Sequence, residues 1–121
     1  MKKFEILEQY HFLAEYQHQP VDYVFNGKNM NNTESILKEM YTSLGFDDYL
    51  PYANYDGFVD LLFSGAWEDT NHMSILITDV EVFLSSNIKE DLDLFFRAIE
   101  YIAEDWNDNK GESSFELFIE K

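Results

Sequence analysis

The chain has no cysteine, one arginine, two prolines and five glycines in 121 residues. Without cysteine there is no disulfide framework, no thiolate zinc site and no cysteine nucleophile. Such a chain suits a reducing compartment, and a cytoplasmic location is expected. Arg97 stands alone and the lysines do not cluster, so no phosphate-contacting surface forms and nucleic acid is not an expected ligand. Gly27, Gly45, Gly57, Gly65 and Gly111 are scattered, and none belongs to a phosphate-cradling loop. No stretch approaches the ~20 apolar residues of a membrane-crossing helix. The N-terminus reaches Glu5 and Glu8 before any continuous apolar run, unlike a secretory signal, and a membrane is not an expected partner. His11, His18 and His72 are too dispersed to converge on a metal, so no metal or cofactor is expected.

Acid is what the chain has in excess. Twenty-four Asp and Glu face eight Lys and Arg, a net charge of -16. That charge repels itself in the folded state, and it attracts cationic partners and accelerates encounter with them. A composition of 45% hydrophobic and 17% aromatic residues still supplies a core for one domain of this length.

The first nineteen residues are ambiguous between strand and helix, with a lean to helix from their Glu, Leu, Gln and Ala. Pro20 closes them. Val21 to Phe25 reads as a strand ending in an Asn26-Gly27 tight turn. Asn32 or Thr33 can cap a helix carrying Ile36, Leu37, Met40, Tyr41 and Leu44, and Gly45 is placed to end it. Asn54 can cap a second helix running to Ser64, stopped by Gly65 and followed by a polar loop from Glu68 to His72. Met73 to Asp79 reads as a buried strand. Asn87 and Glu90 suggest a capping box for the last helix, with an apolar seam of Ile88, Leu92, Phe95, Ile99, Ile102 and Trp106. After a turn from Asn107 to Gly111, Ser113 to Glu120 alternates as a closing strand. The expected fold is α/β: a small three-stranded, largely parallel sheet packed by helices, with residues 1–20 as an extension and 21–121 as the domain.

Function is expected between Asp47 and Asp60. Asp56 and Asp60 lie one helical turn apart on one face, where two carboxylates repel each other and structure alone does not ask for them. Tyr49, Tyr52, Tyr55 and Trp67 surround them with large amphipathic rings, a composition common on recognition surfaces. A carboxylate pair could also serve a hydrolase, but both acids on one exposed turn lack a cleft to raise either pKa.

The order of these features is similar to that of the barstar family, intracellular inhibitors of a secreted bacterial ribonuclease. Val24-Phe25-Asn26-Gly27 followed by Met30 resembles the family's first strand and turn. Tyr49, Asn54, Asp56 and Asp60 fit its Tyr-Tyr-Gly-x-Asn-x-Asp-x-x-x-Asp segment with one residue inserted after Tyr49. The resemblance implies a barstar-like fold and a monomer when free. It implies a one-to-one complex with a basic nuclease toxin, with Asp60 as the main plug in the phosphate site, Asp56 a second acceptor, and Tyr49 and Asn54 at the rim. Leu50-Pro51-Tyr52-Ala53 replaces the family's Gly, Val59 its Trp, and Ala98 its last-helix Glu, for which Glu100 and Glu104 are the candidate substitutes. These departures imply an immunity protein for a toxin of its own. The alternative is an acidic nucleic-acid mimic or adaptor that binds a nucleic-acid-binding protein.

Overall fold

A computed structural model describes residues 9–10, 12–63, 72–109 and 114–120. The strands are β1 (Leu13–Glu15), β2 (Tyr23–Asn26), β3 (His72–Thr78) and β4 (Ser114–Ile119), and the helices are α1 (Thr33–Ser43), α2 (Tyr55–Phe63), α3 (Val80–Ser86) and α4 (Lys89–Asn109). The strands form one sheet in the order β1-β4-β3-β2, with every pairing parallel. Parallel neighbours need crossover connections, and α1 with α2, then α3 with α4, supply them between β2 and β3 and between β3 and β4.

Alternation along the strands sends one set of side chains to the helices. Leu13, Leu117, Ile75 and Tyr23 stand side by side across the sheet, and Phe25, Ile77 and Ile119 form the next row. These rows meet Ile36, Met40 and Tyr41 of α1, Phe58 and Leu62 of α2, Phe83 of α3, and Phe95, Phe96, Ile99 and Ile102 of α4 in one buried cluster.

The extension reads differently in space from what its helix formers suggest. Leu13, Ala14 and Glu15 pair with Leu117, Phe118 and Ile119, adding a short fourth strand at the sheet edge. Tyr10 and Phe12 are buried, and the Tyr10 ring stacks on Phe96 with centroids 5.0 Å apart. Three residues are too few to carry a periodicity, and pairing with β4 overrides local propensity. Residues 1–8 and His11 lie outside the described residues, as do 64–71, where the loop after α2 was expected.

Caps set the helix boundaries. Asn32 Oδ1 accepts from Ser35 N at 2.8 Å while Ser35 Oγ accepts from Asn32 N at 3.1 Å, so Asn32 is the cap of α1. Gly45, with φ 82°, ends that helix in the left-handed region. Gly27 does not take the positive φ of the expected tight turn. It opens a 3-10 turn over Gly27–Asn29, and a Cβ there would lie 2.6 Å from the Asp79 carbonyl oxygen and closer still to that of Thr78. Glycine is required there by close backbone approach.

The sequence does not reveal α3, whose seven residues mix β-branched and helix-forming side chains. Asn87 ends α3 rather than capping α4. Its Nδ2 donates to the carbonyls of Met30 at 2.6 Å and Phe83 at 2.7 Å, fastening α3 to the turn after β2. The α4 seam begins at Leu92, because Ile88 is 62% exposed ahead of the first turn; the side chain of Trp106 lies outside the described residues. The helix runs on to Asn109, through positions expected as a turn.

Candidate functional site

The segment between α1 and α2 is held from inside. After Phe46, which is buried, Asp47–Tyr52 winds into a 3-10 helix. Ala53 and Asn54 then lead into α2, where Asn54 Oδ1 accepts from Gly57 N at 2.7 Å and Asn54 O from Phe58 N at 3.0 Å. The expected Asn54 cap is thus present.

Tyr41 of α1 fixes where that cap sits. Its hydroxyl donates to the Asn54 carbonyl at 2.9 Å and accepts from the Asn54 N–H at 3.3 Å, occupying both backbone groups of one residue. The Tyr41 ring is buried against Phe58 and Phe46, with centroids 5.6 and 6.4 Å away. Gly57 leaves room for this hydroxyl, since a Cβ there would stand 3.0 Å from it. Sequence reasoning takes Tyr41 as an apolar position and Gly57 as punctuation. The available signal was a tyrosine, not a phenylalanine or leucine, on the buried side of a helix, because a buried hydroxyl needs a partner.

On α2, Phe58 and Leu62 face the core while Asp56 and Asp60 are exposed. The pair forms a crest, and Asp60 borders a depression on each flank. The first, about 310 Å³, is bounded by Tyr41, Tyr49, Tyr52, Gly57 and Leu61. The second, about 570 Å³, lies between α2 and α4, with Tyr55, Asp56 and Val59 on one wall and Leu94, Arg97, Ala98 and Tyr101 on the other. Tyr49 and Tyr52 are 51% and 79% exposed where they border the first depression. Asn54 is exposed too, but its amide works inward, with Nδ2 donating to the Tyr52 carbonyl at 3.1 Å.

Among the described residues, neither Asp56 nor Asp60 has an ion pair or a side-chain hydrogen bond. Asp56 lies in the first turn of α2, where the helix dipole favours a carboxylate. The Tyr55 hydroxyl is buried with no hydrogen-bond partner among the described residues, and burial, followed by the nearby Asp91 carboxylate, pushes its pKa upward. Ala98 stands in the second depression, which neither Glu100 nor Glu104 lines. Trp67 lies outside the described residues. No group of three His, Asp or Glu able to hold a metal occurs among the described residues, and no helix there is long and apolar enough to cross a membrane.

A parallel α/β sheet that carries an acidic helix and an aromatic loop on its crossover side describes a small class of domains. The sequence model of the Barstar (barnase inhibitor) family matches residues 22–120, and the chain belongs to that family. Members of the family are ribonuclease inhibitors, not enzymes. No curated protein and no solved structure matches the chain. The family match begins after β1, whose residues nonetheless hydrogen-bond into the same sheet.

Proposed function

We propose that this chain is an immunity protein that neutralises one basic nuclease toxin, an RNase, in the cytoplasm. It binds one to one and seats α2 and the loop before it in the toxin's active site. The observation that carries this reading is the exposed Asp56–Asp60 crest on a segment tied to the core through Asn54, in a chain of an inhibitor family. Asp60 stands where a substrate phosphate would, and Asp56 accepts from a second basic side chain. Ionised carboxylates form strong, short hydrogen bonds with Arg, Lys or protonated His. Tyr49, Tyr52 and Asn54 close the rim, and the Tyr55 ring supports the crest from the α4 side.

The test is Asp60→Lys, measured by survival of cells expressing the nuclease and by the Kd of the purified pair. Truncating one partner of a buried charge pair costs about 2–5 kcal/mol, a range to which the barnase–barstar pair itself contributes and which is therefore taken from the family. Reversal of the charge is expected to cost at least as much and to abolish protection, while circular dichroism shows an unchanged fold. Full protection by Asp60→Lys would contradict the proposed plug. It would favour binding through acidity spread over the whole surface, as in a nucleic-acid mimic.

A further inference from the structure

The long helix α4 has more apolar surface than the core uses. Its buried side is Leu92, Phe95, Phe96, Ile99, Ile102 and Ala103. Leu94 and Tyr101 lie off that side, 49% and 59% exposed, with Ala98 between them at helical spacing. These three form a second stripe that the fold does not bury, and it faces the acidic crest across the larger depression. Arg97, the only arginine in a chain of net charge -16, stands in the same wall and has no ion pair among the described residues. The depression is therefore acidic along α2, apolar along α4, and cationic at one point.

We infer that the cleft between α2 and α4 is a selectivity pocket for the nuclease, taking an apolar side chain flanked by a basic residue on the Asp56–Asp60 side and a carboxylate against Arg97. This rests on the proposed inhibitor function and adds the chemistry that tells one basic nuclease from another. Acidic residues alone attract every basic protein, whereas an apolar anchor and a carboxylate in fixed relation to the cation are met by few. Buried apolar anchors act mainly on the dissociation rate, and peripheral charge on the association rate.

Binding kinetics with two probes, barnase and any basic nuclease found encoded beside this chain's gene, test the inference. Leu94→Ser combined with Tyr101→Ser should raise the dissociation rate of the bound nuclease at least tenfold, with association rate and salt dependence unchanged. Arg97→Gln gives a test of sign. It makes the protein more acidic, so attraction by net charge alone predicts equal or tighter binding, while a clamped carboxylate predicts binding weakened about threefold or more. Both changes are at exposed positions, and thermal unfolding checks that the fold is kept. If Asp60→Lys weakens binding but neither cleft variant does, the cleft has no such role and the inhibitor reading stands. Wild-type protein that binds neither nuclease overturns both.

Discussion

Tyr41 holds the segment leading into α2 by a single oxygen. Removing it in Tyr41→Phe leaves the ring packing in place, strips the Asn54 N–H of its partner and leaves the Asn54 carbonyl with only the Phe58 N–H. Losing a hydrogen bond at such a part-buried place costs about 0.5–1.5 kcal/mol. We expect a loss of that size in urea unfolding, with faster amide exchange at Asn54 than in the wild type. Tyr55 presents the opposite case, a buried hydroxyl that satisfies nothing. Tyr55→Phe should be neutral or stabilising by about 1 kcal/mol. The same residue governs alkaline behaviour. Its pKa is raised in the fold by burial and then by Asp91, against about 10 in an unfolded chain. Below pH ~10 both states keep the proton and its contribution is intact; above it the unfolded chain ionises first, so stability falls until the folded value is passed. Burial shifts Tyr10 and Tyr23 in the same direction. Urea titrations between pH 9 and 11 should show a shallower loss in Tyr55→Phe than in the wild type.

At the scale of elements, what could be read in the sequence depended on whether the signal was local. Asn32, Gly45 and Asn54 cap or end their helices as their side chains and backbone freedom dictate. The alternation of β4 and the apolar run of β3 identify two strands without reference to anything distant. The failures are tertiary. β1 exists because β4 offers it an edge, and Asn87 turns from a cap into a clamp because Met30 lies across from it. Of the site, the exposed acids and tyrosines were legible from composition, whereas the α4 wall was hidden because Leu94 and Tyr101 look like core residues in a helix rich in them. Gly27 belongs here too, since its constraint comes from Thr78 and Asp79, fifty residues on. Gly27→Ala would drive a methyl group into two backbone carbonyls that cannot swing aside. Overpacking costs typically about 1–3 kcal/mol, and a lowered midpoint in thermal unfolding at that scale is the expected reading.

Across the whole molecule, charge sets both a liability and a use. With a net charge of -16, the folded state repels itself, and counter-ions relieve that repulsion. Raising sodium chloride from about 20 to 500 mM shortens the Debye length from roughly 20 Å to about 4 Å. The melting temperature should rise over that interval, and the association rate with a basic nuclease should fall. A protein whose stability and association both ignored salt would show that its acids matter neither to folding nor to encounter. The other global property is the division of labour between layers. Sheet and buried helix faces hold one apolar cluster, and the described charged and aromatic groups of the candidate site stand on the crossover side.

The tyrosine strut beneath the cap has an evolutionary corollary. Because the tie that shapes the loop lies within the protein, a change at the outward position 52, which is 79% exposed, leaves that tie in place. On the proposed inhibitor reading, a lineage facing changing nucleases could retool its grip one surface residue at a time, keeping the anchorage while the lock is recut.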